Sequence, residues 1–402
     1  MTLPSRVRVS GPLTRYAKGF CEELATQGYT PLSAANQVRL MAHMSRWLDA
    51  QREGPEALTP VQVERFLRAR RQQGYTAFLS KAGLAPLLGY LCTIGVVPAP
   101  QPPVAQTPLE HLLEHYRNYL EQERGLAAST VRFRLGEARS FLAQHTHGER
   151  LALDQLTAAD VVRSVLRECR HRSVGYAQGL VTALRSLLRF LYLEGHTPTL
   201  LANAAPAIAS WKLAPLPRAV EPRQVQALLR RCDRRTAIGR RDVAILTLLT
   251  RLGLRCGEVV ALEIDDIDWS CGEITIDGKG RRHERLPLPP DVGEALVSYL
   301  RRGRPRTGSR KVFVRHRAPY GRLGPSAITG RLYQLCDRAG VGRISSHRLR
   351  HTAATQMLRH GAPLEEIAEV LRHRDLLTTA TYAKVDREAL RELARAWPGG
   401  DA

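Results

Sequence analysis

The sequence predicts a mainly α-helical protein with a small antiparallel β-sheet confined to its C-terminal part. Three observations predict this. Two proline-rich breaks divide the 402 residues into three blocks. The first two blocks repeat the same helical anchors, and short alternating runs that read as strands occur only in the third. A chain of this length can bury a core in each block, and its hydrophobic fraction of 44% argues against wholesale disorder.

The first break, VVPAPQPPVAQTP (Val96–Pro108), cannot continue a helix and reads as a semi-rigid linker. The second, ANAAPAIASWKLAPLPRAVEP (Ala202–Pro222), is looser. The expected domains are residues 1–98 and 109–201, both helical, and 218–402, joined by linkers at 99–108 and 202–217. The two helical blocks align as distant copies. LTRYAKGFCEELATQGY (Leu13–Tyr29) resembles LEHYRNYLEQERGLAAS (Leu109–Ser129), with Tyr16 against Tyr116. LTPVQVERFL (Leu58–Leu67) matches LTAADVVRSVL (Leu156–Leu166), and LLGYLCTIGVVP (Leu87–Pro98) matches LLRFLYLEGHTP (Leu187–Pro198). Apolar residues recur at helical spacing between these anchors, so each block reads as a bundle of four or five helices.

The third block opens with a strongly apolar helix, RRDVAILTLLTRLGLR (Arg240–Arg255), which should end near Gly253. Three alternating runs follow: ALEIDDIDW (Ala261–Trp269), EITIDG (Glu273–Gly278) and HERLPLP (His283–Pro289), with Asp277–Gly278 and Gly280 marking a hairpin turn. Helices are expected again over Pro290–Arg302, Pro325–Gly340, Ser346–His360 and Pro363–His373. A last amphipathic segment covers Asp386–Trp397.

The formal net charge is +22, which favours a polyanionic partner, although a charged surface alone has the same signature. Both helical blocks carry arginine runs, RFLRARRQQ (Arg65–Gln73) and RECRHR (Arg167–Arg172), that suit modules gripping a phosphate backbone. Nearly all the positive charge is arginine, a bias that a GC-rich coding sequence also produces. The six lysines (Lys18, Lys81, Lys212, Lys279, Lys311 and Lys384) are therefore rare choices. The seven cysteines are scattered and form no CxxC pair, so reduced thiols in a cytosol are expected rather than a zinc site or a disulfide framework. No basic-then-apolar leader and no run of spanning length occurs, so a cytoplasmic protein without a membrane partner is expected.

SSHRLRHTAATQML (Ser345–Leu358) places His347 and His351 at i,i+4, the spacing of a helical zinc site. Arg348 stands where such a site has its carboxylate and Arg350 sits beside both histidines, so no metal is expected there. An anion suits this helix better, because His347 and Arg350 share a face. Arg255 follows the end of a buried helix, and Glu258, three residues on, can hold its guanidinium as a fixed fork for phosphate oxygens. Lys279 lies at a hairpin tip between two glycines, either a solvated turn or an arm that delivers an ammonium. In LRHRDLLTTATYAKV (Leu371–Val385), Tyr382 follows His373 by nine residues. Together these groups can carry phosphoryl transfer with no metal or other cofactor: cations neutralise the non-bridging oxygens, an acid protonates the leaving oxygen, and a hydroxyl attacks in line.

These stretches resemble the tyrosine recombinases, the family of phage integrases, Xer and Cre. TRLGLRCGEVVAL (Thr250–Leu262) is similar to the family's first box, SSHRLRHTAAT (Ser345–Thr355) to its His-x-x-Arg box, and LRHRDLLTTATY (Leu371–Tyr382) to its Leu-Gly-His…Tyr box. The Gly-Lys-Gly of Gly278–Gly280 falls where the family keeps its lysine, and the second block resembles its core-binding domain. The resemblance covers roughly residues 218–390 and implies a role for each matching position. Tyr382 would be the nucleophile that forms a 3′-phosphotyrosyl bond. Arg255 and Arg350 would clamp the scissile phosphate, and Lys279 would protonate the leaving 5′ oxygen. His347 would assist the tyrosine, His373 would hydrogen-bond the phosphate, and Glu258 would position Arg255. Double-stranded DNA would be the partner, bound by a homo-oligomer, a tetramer on two sites, with related recombinases as further partners.

Two departures qualify the match. Arg372 stands where the family usually has Gly, which leaves open a contact to the DNA backbone or a slower enzyme. Residues 1–98 have no counterpart in minimal members, and an extra DNA-binding unit is expected. The implied function is site-specific integration, excision or transposition of a mobile element. An inactive accessory DNA-binding protein, a chromosome-resolution recombinase and a type IB topoisomerase are the alternatives.

Overall fold

A computed structural model describes residues 7–98, 107–147, 150–209, 219–277 and 283–372. The chain forms two compact units, Met1–Ala99 with Pro215–Ala402, and Pro100–Ala214. Among the described residues it is mainly helical, with a three-stranded antiparallel sheet in the C-terminal block and one short two-stranded ribbon.

The N-terminal block contains α1 (Ala17–Thr26), α2 (Pro31–Ala50), α3 (Pro60–Gln72) and α4 (Lys81–Thr93). Its core gathers Phe20, Leu24, Met41, Phe66, Leu87 and Leu91. The middle unit contains α5 (Pro108–Asn118), α6 (Ala128–Leu142), the ribbon of β1 (Thr146–His147) and β2 (Arg150–Leu151), then α7 (Ala158–Cys169) and α8 (Val174–Leu193). Tyr116, Phe141 and Phe190 fill its core. The helix starts are written locally. α2, α3 and α5 each begin with proline at the first position, and the threonine before it (Thr30, Thr59 or Thr107) accepts the N–H three residues on. Thr59 and Thr157, aligned in the sequence repeat, are both N-caps, of α3 and α7.

The C-terminal block begins with α9 (Pro222–Arg230) and the buried α10 (Ala237–Arg251). Next come α11 (Cys256–Ala261) and a sheet of β3 (Ile267–Asp268), β4 (Glu273–Asp277) and β5 (His283–Pro287) in that spatial order. Then follow α12 (Pro290–Arg302), α13 (Pro325–Ala339), α14 (Ser346–Arg359) and α15 (Leu364–Leu371). β4 and β5 pair in full register, Ile274 against Leu286 and Asp277 against His283. The core joins α10 and α12 to the sheet through Leu248, Val259, Ile274, Leu296 and Phe313.

One expected element is corrected. Ala261–Trp269 is not a strand: Ala261 closes α11, Ile264–Asp266 forms a 3₁₀ turn, and only Ile267–Asp268 pairs with β4. Asp266 caps this turn by accepting the Glu263 N–H at 2.7 Å, a side-chain bond that competes with a sheet ladder. The hairpin tip, the Pro-rich stretches at 99–106 and 210–218, and the segment Asp386–Trp397 lie outside the described residues. Within the first unit, the Tyr320 N–H donates to the Gln27 carbonyl at 3.2 Å and its ring lies against Gly28, joining the N-terminal and C-terminal blocks.

Candidate active site

Four of the expected site residues, and the neighbour Arg372, lie within the described structure, and they converge. α10 ends at Arg251, and Gly253 turns the chain with φ of 57°. That turn sets Arg255 at the N-cap of α11, where Glu258 reaches back to it. The Glu258 carboxylate accepts the Arg255 backbone N–H through Oε2 at 2.7 Å and its Nη1 through Oε1 at 2.7 Å. The Arg255 side chain is 46% exposed and that of Glu258 only 7%, so the carboxylate is the fixed anchor and the guanidinium the presented group.

Arg350 comes from α14, whose start is set by Ser345 accepting the Arg348 N–H. It is buried. Its Nη1 donates to the Gly253 carbonyl at 2.6 Å and its Nη2 to the Leu371 carbonyl. One guanidinium therefore ties the turn before Arg255 to the end of α15. Such charge-assisted bonds are the stronger ones, and they leave the planar group fixed in orientation.

His347 and His351 lie on the same face of α14, their rings edge to face with centroids 4.2 Å apart. His347 keeps an exposed edge, yet enough of its ring is enclosed for desolvation to lower its pKa, and Arg350 and Arg255 lower it further. His351 is pulled down to about 4, by burial first, then by His347 and Arg350. Both imidazoles are therefore neutral near pH 7, chiefly because they are enclosed, and the arginines beside them also disfavour a bound dication.

Arg372 was not expected to belong to this arrangement. Its guanidinium turns inward rather than toward solvent, with Nη2 2.8 Å from Glu258 Oε2 and Nη1 donating to the Val370 carbonyl at 2.8 Å. The buried side chain therefore does not lie open to a DNA backbone, which corrects that expectation. Its partner lies 114 residues away in sequence, and no local pattern could have announced the pairing. Lys279, His373 and Tyr382 lie outside the described residues.

Residues 218–389 match the phage integrase family. Over 394 residues the chain is 40% identical to a Sinorhizobium fredii protein with the provisional name integrase/recombinase y4rA, covering 97% of this chain and 95% of that one. The chain belongs to the phage integrase family of tyrosine recombinases. The recombinase is also 32% identical to the tyrosine recombinase XerC of Azotobacter vinelandii, over 71% of this chain and 93% of XerC. Its fold is that of solved recombinases. The crystal structure of the XerH site-specific recombinase, bound to palindromic difH substrate after cleavage, aligns with a TM-score of 0.55 at 17% identity, covering 78% of this chain and 94% of that one. The function that goes with this membership is site-specific DNA recombination. Among the described residues, no helix is long and apolar enough to cross a membrane.

Proposed function

We propose that the chain is an active recombinase of a mobile element that cuts and rejoins double-stranded DNA without metal or ATP. The observation that carries this reading is the convergence of Arg255, Arg350 and His347, drawn from two boxes 97 residues apart through the Arg350–Gly253 bond.

In the proposed reaction the Tyr382 phenol oxygen attacks the scissile phosphorus in line, and the bond from phosphorus to the 5′ oxygen breaks. The phenol proton passes to neutral His347. Lys279 gives a proton to the departing 5′ oxygen, so the strand ends as a 3′-phosphotyrosine and a free 5′-hydroxyl. A free phenol has a pKa of about 10, so the attack needs the phosphate-bound cations close by. Arg255 and Arg350 supply them, and His373 hydrogen-bonds the phosphate. Glu258 positions Arg255. The phosphodiester energy stays in the phosphotyrosyl bond, so rejoining needs no nucleotide. The working assembly is a homotetramer on two DNA sites, and residues 1–98 form an added DNA-binding unit.

Covalent trapping tests this reading. Nicked duplexes from DNA flanking the gene are mixed with wild-type and Tyr382→Phe protein without metal, and SDS-resistant adducts are sought. An adduct with wild type alone, mapped to the peptide bearing Tyr382, is the expected result. Tight binding by both proteins with no capture would favour an accessory DNA-binding protein instead.

A further inference from the structure

Arg372 ends α15 in the left-handed conformation, with φ of 54° and ψ of 49°. Glycine adopts this backbone without cost, whereas a long L-side chain is strained in it. The side chain is 2% exposed, so both its backbone and its charge sit where they are costly. What offsets both is Glu258, whose carboxylate is nearly as buried. The carboxylate takes the Arg255 backbone N–H and Nη1 on one side and Arg372 Nη2 on the other. Burial alone would push that carboxyl toward protonation; Arg372 and then the bonds from Arg255 outweigh it and hold the group below the ordinary glutamate range.

Charge bookkeeping gives the arrangement a consequence. Arg255 and Glu258 alone would form a neutral pair, with the guanidinium drawn onto its carboxylate. A second, buried guanidinium leaves one net positive charge, and the exposed member of the trio is Arg255. The same point is pinned twice, because Arg350 holds the Leu371 carbonyl next to Arg372 and also the Gly253 carbonyl near Arg255.

We propose that Arg372 is a positioning residue: it holds Glu258 from the buried side, so that Arg255 presents to the scissile phosphate an oriented guanidinium whose charge the shared carboxylate only partly offsets. This rests on the recombinase reading above. Glycine at position 372 would relax the backbone yet weaken the site, because Glu258 would then be shared with no second cation.

The test uses the full-length protein with Arg372→Gly, Arg372→Lys, Arg372→Met, Glu258→Gln and the double variant Arg372→Gly/Glu258→Gln. Single-turnover adduct formation is measured at saturating protein beside DNA affinity and thermal unfolding. Arg372→Gly should slow cleavage roughly ten- to hundredfold, the scale of a small misplacement, with DNA affinity nearly unchanged. Lysine should restore part of the rate and methionine none. In the Glu258→Gln background the glycine should cost little more, since both changes break one linkage. Wild-type cleavage by Arg372→Gly, equal rates for lysine and methionine, or multiplying effects would each overturn the proposal. If wild type makes no adduct, the recombinase reading fails by itself and the unfolding cycle decides the Arg372–Glu258 hold. Coupled losses of melting temperature support that hold, and additive losses reject it.

Discussion

Glu258 is buried and His351 half-buried, both among charges, and they should fail at different pH. For Glu258 the folded pKa lies below the ordinary 4.5, so the unfolded chain binds that proton more tightly. Its stabilisation is complete above 4.5 and is lost as pH falls through the depressed folded value. For His351 the folded pKa is about 4 against 6.5, and the folded state favours the neutral ring. Its contribution is complete above 6.5, declines as pH falls, and is gone below about 4. Melting temperature followed against pH should therefore flatten between 6.5 and 4 in His351→Gln. Glu258→Gln should flatten only the part below 4.5. At pH 7 it should cost about 3–5 kcal/mol, the scale for leaving a buried charge without its partner. Arg255, Glu258, His347 and Arg350 were legible in the sequence because each pair lies three residues apart on one helical turn. Arg372 was legible only as a departure, since nothing near it in sequence shows a buried carboxylate waiting for it.

At the scale of elements, the turn between α10 and α11 carries the site, and Gly253 makes it possible. A Cβ there would lie 2.7 Å from Leu371 Cδ2 and 3.7 Å from Arg350 Cγ, at a φ of 57° that strains any other residue. Gly253→Ala should destabilise the fold by about 1–3 kcal/mol in urea unfolding, from backbone strain and overpacking together. It should also slow adduct formation, because it pushes on both ends of the Arg350 tie. Gly89 in α4 is the contrast: a Cβ meets nothing within 4 Å, and Gly89→Ala should stabilise by about 0.5–1 kcal/mol. Equal effects at the two positions would refute the special role of the turn. Helices α10 and α12 to α15 were legible to within a few residues because their apolar periods are strong, whereas the short α9 and α11 were not expected. The Ala261–Trp269 run was misread because Leu262 with Ile264, and Ile267 with Trp269, alternate like a strand on either side of Asp265–Asp266, while the run serves a helix end, a 3₁₀ turn and a short strand in succession.

Over the whole molecule, a net charge of +22 means that DNA affinity should be set largely by counterion release, and so by salt. The logarithm of the binding constant should fall linearly with the logarithm of salt, with a slope of about −0.9 for each phosphate neutralised. The middle unit offers a place to test which arginines contribute. Arg170, His171 and Arg172 are exposed together between α7 and α8, and the Arg172 guanidinium rests 5.0 Å from the centre of the Tyr176 ring. An aromatic platform holds the cation in one place while its N–H groups remain open to an oxygen. Arg170→Ala/Arg172→Ala should weaken binding to all sequences alike, because phosphate contacts position the protein and do not read bases. If both arginines lie on phosphates, the salt slope should become shallower by about two contacts' worth, measured by fluorescence anisotropy from low to moderate salt. The fold should be untouched, since neither side chain is buried. A slope equal to that of wild type would make this run a solvated surface and move the grip of the middle unit to another face.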